Sequence, residues 1–306
     1  MAKATALPGE LRHRPFTTYE SRAAGVPRKR LRAKDLLGTG RLIHVPAGVR
    51  PDLLERSRVL TKATPDAWVS HETAALLGGL GLPFWLAGEE SVHLSKPHGL
   101  PRVRRDGVVG HRVHVYPQEI TDLDGIPIST PARTWLDLAH RLPLQYVVAM
   151  GDQLIRVPRE RFEGRSEPYA FVPELARMIR RHPNMKGVLK ARLALEDMRI
   201  GADSYPETFL RLAMIEAGLP EPELQIRVDP DEQWSPPADL GYRRCRLAIQ
   251  YEGGHHRSRA QQTRDNLRDE VFINAGWTYF KTNAEDLAEG FAGVIERIRR
   301  ARRRAA

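Results

Sequence analysis

The sequence predicts an α/β (α+β) protein, and three observations point to this class. Stretches with the periodicity of amphipathic helices alternate with short runs rich in β-branched residues over most of the chain. The last third follows the order helix, strands, helix, strand, helix, which describes a compact α/β unit. Hydrophobic residues make up 41% of the 306 positions, enough to bury sizeable cores. A chain of this length accommodates one large domain or two to three ordinary ones.

The first part of the chain predicts a disordered lead followed by a winged-helix-like unit. Residues 1–16 are rich in Pro, Ala and Arg and show no periodicity. Residues 17–62 combine a short helix capped by Thr17 or Thr18, a second helix over 31–37 and a hairpin or wing over 42–49. The basic run before the second helix lies where DNA phosphates would be met, although a solvated helix face is the alternative. Its candidate contacts are Arg28, Lys29 and Arg30.

Residues 63–157 predict a mixed α/β middle region. Residues 64–86 are expected to be helical, with Ser70 capping His71–Leu77. Alternating residues between 90 and 116 predict strands, and two more helices are expected over 130–142 and 143–156. We interpret Ser70 and His71 as residues that cap and pack this helix. His111 and His114, taken to share one strand face, are interpreted as structural because no third metal ligand is nearby.

The remainder predicts a linker with helices over 158–200 and a C-terminal α/β domain over 201–306. The helix that opens this domain has Ser204 as its N-cap and ends before Gly218. The expected elements, in order, are helix 204–217, strand 224–228, two strands joined by a basic turn within 237–252, helix 258–274, strand 277–282 and helix 284–304.

A dense group of polar side chains lies on the two strands joined by the basic turn. Because side chains alternate along a strand, Gln250 and Glu252 share one face, and a tight turn places Asp239 opposite Gln250. Carboxylate and amide oxygens suit Mg²⁺ or Mn²⁺, and such an ion activates water and neutralises charge in phosphodiester cleavage. The alternative is that these acids are solvated strand ends followed by a loop of two histidines.

The C-terminal domain resembles a known nuclease family. Four runs within residues 204–290 carry the resemblance: Ala-Asp-Leu-Gly-Tyr, Arg-Leu-Ala-Ile-Gln-Tyr-Glu-Gly-Gly-His-His, Arg-Asp-Asn-Leu-Arg-Asp and Ala-Gly-Trp. They resemble the very-short-patch-repair-like (Vsr-like) endonucleases of the PD-(D/E)XK superfamily. The resemblance implies a restriction-endonuclease-like αβββαβα domain that uses Mg²⁺ or Mn²⁺ and acts on DNA.

The resemblance also implies roles for individual residues. Asp239 matches the metal-binding Asp of the first motif, Gln250 and Glu252 occupy the second, and Glu207 helps from the opening helix. Where the family pattern is Glu-x-Asp-Gly, this chain has Gln-Tyr-Glu-Gly, so a negative charge is missing. No Lys follows at the usual third position, so the expected base is His256 or a metal-activated water. The further implied positions are His255 or His256 after the glycine, Asp265 and Arg268 on the next helix, and Arg264, Arg268 and Lys281 as phosphate contacts.

A second, weaker resemblance covers residues 17–155. The runs Leu-Ile-His-Val-Pro-Ala-Gly-Val, Val-Ser-His-Glu-Thr-Ala-Ala-Leu-Leu and Thr-Pro-Ala-Arg-Thr-Trp-Leu-Asp-Leu-Ala resemble AbiEi-type antitoxin regulators. Those proteins carry an N-terminal winged helix. The resemblance implies a DNA-binding regulator whose further partner is a cognate toxin.

The composition of the chain indicates which kind of partner it binds and where in the cell it is located. The net charge of +10 and the pI near 10 favour nucleic acid as the partner, although a basic soluble protein is the alternative. The absence of a membrane-length apolar run and of a signal-peptide core, with the single Cys245, predicts a cytoplasmic protein. Two functions remain, a metal-dependent DNA endonuclease and a non-catalytic antitoxin-type regulator with a degenerate nuclease fold. A protein-interaction module leaves the acidic cluster unexplained.

Overall fold

The computed structural model describes residues 5–38, 40–159, 163–232, 235–253 and 259–305, and only the backbone for 259–265 and 305. Within these residues the chain forms twelve α-helices and twelve β-strands in three sheets, which confirms the α/β class. The chain divides into two compact units. The N-terminal unit is Met1–Arg141 with Met178–Val188, and the C-terminal unit is Leu142–Arg177 with Leu189–Ala306. Among the described helices, none has the length and apolar character needed to cross a bilayer.

In the part of the N-terminal unit that the structure describes there are five complete helices, eight strands and three 3-10 turns. Its helices are α1 Thr18–Ala23, α2 Leu53–Lys62, α3 His71–Leu77, α4 Phe84–Ala87 and α5 Pro131–Leu138. Its strands are β1 Phe16–Thr17, β2 Leu36–Gly38, β3 Ile43–Pro46, β4 Trp68–Val69, β5 Val92–Pro97, β6 Val108–Val113, β7 Ile120–Leu123 and β8 Ile126–Ser129. The 3-10 turns are Gly9–Leu11, Arg30–Arg32 and Pro117–Glu119.

Two expectations for the start of the chain are corrected. The lead expected to be disordered over 1–16 is ordered from residue 5, because Leu7, Leu11 and Phe16 bury together. The helix expected over 31–37 is a 3-10 turn followed by β2. A helix this short is unfavourable to nucleate, and β2 instead gains backbone hydrogen bonds by pairing with β3.

A five-stranded sheet in the order β6-β5-β4-β8-β7 forms the centre of the N-terminal unit. Its apolar side chains, including Val69, Leu94 and Ile126, are fully buried. The helical stretch expected over 64–86 is corrected, because β4 interrupts it by pairing with β5 and β8. The sequence did not predict the β7–β8 hairpin, whose turn uses Asp124 and Gly125 with φ of 51° and 80°. An Asp-Gly pair is typical of a two-residue hairpin turn that needs positive φ at both positions.

The C-terminal unit contains the remaining helices and the third sheet. Its helices are α6 Leu144–Ile155, α7 Val172–Arg181 (shared with the N-terminal unit), α8 Val188–Asp197, α9 Tyr205–Glu216, α10 Arg259–Asn274, α11 Ala284–Ala288 and α12 Ala292–Ala305. Its strands are β9 Glu223–Ile226, β10 Ala238–Tyr242, β11 Leu247–Tyr251 and β12 Thr278–Thr282, with a 3-10 turn at Arg243–Cys245.

The order β12-β11-β10-β9 places β10 and β11 in the middle of this sheet. Strands β9, β10 and β11 are antiparallel, and β12 runs parallel to β11. The single terminal helix expected over 284–304 is corrected to α11 and α12. The break falls at Gly290 and Phe291, both with left-handed φ, and it turns the Phe291 ring into the core at 1% exposure.

Candidate functional site

Asp239 and Gln250 meet where β10 begins and β11 ends. We call these two side chains, together with the buried Glu207 whose pKa the charge of Asp239 raises, the carboxylate site. The register pairs Leu240 with Ile249, so the next pair outward is Asp239 and Gln250, as the sequence predicted. Gln250 Nε2 donates to both Asp239 carboxylate oxygens at 2.8 Å, and the backbone N–H of Tyr251 donates to Oδ2 at 2.7 Å. The three side chains are buried, with 6% to 8% of their surface exposed.

Glu207 joins this site from the first turn of α9. It accepts hydrogen bonds from the Asp203 N–H at 2.8 Å and the Ser204 hydroxyl at 2.7 Å. Burial, and next the charge of Asp239, raise the pKa of Glu207 to about 8. Burial likewise raises the pKa of Asp239 to about 6, although the Tyr251 N–H and the Arg268 charge oppose this. Two buried carboxylates therefore resist ionising together, and a bound cation would remove that resistance.

The donor set of the carboxylate site fits a hard divalent cation. Gln250 Oε1 is buried and has no hydrogen-bond partner among the described residues. It is a carbonyl oxygen on the side chain that contacts the Asp239 carboxylate, and Mg²⁺ and Mn²⁺ prefer carbonyl and carboxylate ligands. Of the residues predicted to hold a metal, Glu207, Asp239 and Gln250 belong to this site.

Glu252 has a different environment from the one expected. Its Oε1 lies 2.9 Å from Lys281 Nζ, and the same ammonium lies 2.5 Å from Asp269 Oδ2. Burial lowers the pKa of Lys281, but the hydrogen bonds to Asp269 and Glu252 outweigh it and raise that pKa. Lys281 is the register neighbour of Gln250 on β12. The adjacent strand therefore brings an ammonium group beside Gln250, and this group is already paired with two carboxylates.

The other predicted site residues are distributed as follows. His255 and His256 lie outside the described residues, and Arg264 lies on α10 with only its backbone described. Arg268 is half-buried on α10, and its charge lowers the pKa of Asp239. Of the expected DNA contacts in the N-terminal unit, Arg28 and Lys29 are exposed. Arg30 instead forms a two-pronged pair with Asp35 at 2.9 and 2.6 Å.

A histidine cluster that the sequence interpretation missed lies in the N-terminal unit. The rings of His71 and His111 stack with centroids 3.7 Å apart, and His93 Nδ1 lies 3.1 Å from His111 Nε2. The expectation that no third metal ligand lies near His111 and His114 is therefore wrong, because His71 and His93 both lie close to His111. His111 and His114 do not share a face either, because side chains three apart on a strand point to opposite sides, and His114 stacks on His98 at 4.4 Å.

The expected cap by Ser70 is also corrected. Its side chain makes no hydrogen bond to the first turn of α3. Ser70 Oγ instead accepts from the Ser95 hydroxyl at 2.7 Å and lies 2.9 Å from His71 Nδ1. The histidine cluster forms only because β4, β5 and β6 are neighbours in the sheet. The spacing of these residues along the sequence therefore could not predict it.

One group of three acidic and histidine side chains, among the residues described, has the spacing of a metal site. Its ligand atoms belong to Glu72, Glu89 and His93 and lie within 4.8 Å of one another. Arg141 already neutralises this group, with Nη1 at 2.7 Å from Glu72 Oε1 and Nη2 at 3.9 Å from Glu89 Oε2. Burial opposes ionisation of Glu72, but His93 and Arg141 hold its pKa at about 2. An internal ion-pair network explains this group without a metal.

Comparison with known proteins gives relatives but no function. No family model matches the chain. Two uncharacterized proteins of Mycobacterium tuberculosis, from strains CDC 1551 / Oshkosh and ATCC 25618 / H37Rv, are each 29% identical over 270 residues. The match covers 85% of this chain and 92% of each relative, so the similarity is not confined to one of the two units.

Proposed function

We propose that this is a cytoplasmic DNA-binding protein whose C-terminal unit is a metal-dependent endonuclease that hydrolyses phosphodiester bonds. The observation that carries the proposal is the carboxylate site, in which Glu207 and Asp239 are buried beside the amide of Gln250. Burying two carboxylates without a cation is unfavourable, so this arrangement favours a bound ion. The resemblance to Vsr-like endonucleases supports the same assignment.

The chain supplies three kinds of group for this reaction. Glu207 and Asp239 would hold Mg²⁺ or Mn²⁺ with Gln250 Oε1 as a weaker ligand. When bound, the ion supplies charge neutralisation and activation of water. Lys281, fixed between Glu252 and Asp269, holds an ammonium proton next to the site that can be given to an anionic oxygen.

A basic groove at the hairpin end of the same sheet supports DNA as the substrate. It has a volume of about 580 Å³ and is lined by the turn between β10 and β11 and by α12. The guanidinium group is well matched to phosphate oxygens. Five arginines line the groove, namely Arg244, Arg246, Arg297, Arg300 and Arg304.

A second function, a non-catalytic antitoxin-type regulator, is favoured by one interaction. The Gln250 amide donates to both Asp239 oxygens, so Asp239 is satisfied without a metal. In this case the nuclease-like unit is a scaffold, DNA is bound without cleavage, and a cognate toxin is the partner. The resemblance of residues 17–155 to AbiEi-type regulators supports this alternative.

Plasmid cleavage separates the two functions. We expect purified protein with Mg²⁺ or Mn²⁺ to nick or linearise plasmid DNA. Asp239→Asn should reduce the rate about a thousandfold or more, because it removes several kcal/mol of charge stabilisation at about 1.4 kcal/mol per tenfold. DNA binding should survive, because Asp239 is buried and does not line the arginine groove.

The matched control is Glu216→Gln on α9, an exposed residue whose loss of charge should leave cleavage unchanged. Salt-sensitive binding by the parent protein without metal-dependent cleavage would establish the regulator instead. Equal rates for the parent and Asp239→Asn would show that any cleavage arises elsewhere.

A further inference from the structure

A cavity of about 890 Å³ lies within the N-terminal unit, and we call it the histidine cavity. Its walls come from α5, the end of β6 and residues 181–186. Six histidines line it: His71, His98, His111, His114, His140 and His182. Five cationic side chains line it as well: Arg102, Arg112, Arg133, Arg181 and Lys186. Asp137 is the only acid among its lining residues, so the cavity carries an excess of positive charge.

The floor of the cavity is a fixed and incompletely satisfied guanidinium. Arg133 is 1% exposed; its Nε donates to Asp137 Oδ1 at 2.9 Å and its Nη1 to Glu119 Oε2 at 2.5 Å. His182 Nε2 lies 2.7 Å from the other Glu119 oxygen and braces the pair. Arg133 Nη2 has no hydrogen-bond partner among the described residues. A buried donor without an acceptor is costly, so this atom indicates a missing acceptor.

His71 and His111 form a neutral wall beside this floor. Burial lowers the pKa of both to about 3, so each ring is uncharged at neutral pH and can offer a nitrogen to a ligand. His71 also adopts φ of 51°, a left-handed conformation that is unfavourable for a residue with a side chain. Such strain in a buried residue is typical of binding and active sites, where the surroundings enforce the conformation.

Planar side chains surround the mouth of the cavity. Tyr116 is 41% exposed, with the Arg181 guanidinium 5.2 Å from its ring centroid. His98 and His114 stack on each other at 4.4 Å beside it. Exposed rings next to arginines provide stacking surfaces for a heterocyclic base, and the volume is within the range of small-molecule sites.

We propose that the histidine cavity binds a nucleotide, with its phosphates on the arginines and lysine and its base against the rings at the mouth. The phosphates correspond to the unsatisfied Arg133 at the floor of the cavity, and the base corresponds to the exposed rings at its mouth. A free nucleotide fits better than a nucleic-acid strand because the cationic floor is recessed and buried. The proposal does not depend on the nuclease assignment, which concerns the other unit.

Calorimetric titration of the full-length protein tests this proposal. The probes are ADP, GDP, CDP and UDP, pyrophosphate as the matched phosphate without a base, and a short single-stranded oligonucleotide. The variant Arg112→Glu/Lys186→Glu reverses two exposed charges at the cavity, so folding should be preserved and circular dichroism can confirm it. We expect at least one nucleoside diphosphate to bind, and this variant to weaken it roughly tenfold or more. Arg22→Glu/Lys34→Glu reverses two exposed charges elsewhere in the same unit and should leave this affinity unchanged.

A third variant isolates the base. Tyr116→Ala should weaken nucleotide binding severalfold while leaving pyrophosphate binding unchanged. Three results would overturn the proposal: no nucleotide binds, pyrophosphate binds as tightly as the best nucleotide, or only the oligonucleotide binds. Equal weakening by the cavity variant and the Arg22→Glu/Lys34→Glu control would also overturn it, because the effect would then be one of net charge.

Discussion

The carboxylate site and the histidine cavity are both buried polar clusters, but their charges are unbalanced in opposite directions. In the carboxylate site two acids meet an amide, and the pKa values of Glu207 and Asp239 rise as a result. In the histidine cavity five cationic side chains and one acid line the walls, and Arg133 Nη2 lacks an acceptor among the described residues. Under the two proposals a cation would complete the first cluster and an anion the second. In both cases the proposed ligand follows from an unsatisfied group rather than from the residue types alone.

The two clusters also differ in how much of the fold depends on them. Arg133 joins α5 to the 3-10 turn Pro117–Glu119 and, through Glu119, to His182. Gln250 and Asp239 join only adjacent strands that are already paired. Removing a partner should therefore cost more stability in the histidine cavity than in the carboxylate site.

The largest expected effect is that of Arg133→Met. Without the guanidinium, Glu119 and Asp137 remain buried with too little compensation, and breaking such a pair costs about 3–5 kcal/mol. Urea denaturation read by hydrogen exchange of peptides from the N-terminal unit measures the loss. The exposed Arg112→Met is the control and should change stability by less than about 0.5 kcal/mol. A loss below about 1 kcal/mol for Arg133→Met would show that the ion pairs are not important for the fold.

Gln250→Glu should show a smaller effect that depends on metal. In EDTA a third buried acid beside Asp239 and Glu207 should destabilise the C-terminal unit by about 1–3 kcal/mol. Mg²⁺ should reverse this loss and raise the cleavage rate, because the new carboxylate strengthens the ligand set. The exposed Gln118→Glu is the control. If Mg²⁺ stabilises the parent and Gln250→Glu equally, the carboxylate site does not bind the ion.

The two units should respond to pH in opposite directions. His71 and His111 have pKa values of about 3, below the ordinary 6.5, so the unfolded chain binds more protons between these values. The N-terminal unit should therefore lose stability as pH falls below 6.5. The pKa of Asp239 is raised from 3.8 to about 6 and that of Glu207 from 4.5 to about 8, so the folded chain binds more protons there. The C-terminal unit without metal should lose stability as pH rises through that window.

Each of these groups changes the free energy of unfolding by about 1.4 kcal/mol per pH unit between its pKa in the folded chain and its pKa in the unfolded chain. Urea denaturation in EDTA at about pH 5.5 and about pH 7.5, read separately for the two units, measures both slopes. His111→Asn should flatten the first slope and Glu207→Gln the second, whereas Glu216→Gln should change neither. Parallel slopes in the two units would contradict the opposite charge balance.

The sequence predicted the pairing of Asp239 with Gln250 because the geometry of this pair is local. Strand alternation and one short turn are enough to set Asp239 against Gln250, and the observed register is the expected one. The element order of the C-terminal unit was also expected, apart from the break at Gly290 and Phe291. The ion pair between Glu252 and Lys281 was not expected, because Lys281 comes from β12 and a parallel neighbour is not visible in local spacing.

The histidine cavity could not be predicted in the same way. His71, His93 and His111 lie on or beside three different strands, and only the order of the five-stranded sheet makes them neighbours. Interpreting His71 as a helix residue and His111 as a strand residue was reasonable for each alone. The signal that could have helped is the pair Arg133 and Asp137, which share one face of α5 at a spacing of one turn and are too polar for a buried helix.

The smallest expected effects separate the basic residues near the N-terminus into two groups. Arg28 and Lys29 are exposed. A plot of the logarithm of the DNA-binding constant against the logarithm of the salt concentration has a slope that reflects the number of neutralised phosphates. Removing one cation that contacts a phosphate should lower the magnitude of this slope by about one. Arg28→Ala/Lys29→Ala should therefore lower this slope by about two. Arg30→Ala should leave it unchanged, because this side chain is 8% exposed and engaged with Asp35, and should cost about 0.2–1 kcal/mol of stability. A lower slope for Arg30→Ala with no change in stability would mean that DNA displaces Asp35 from this arginine.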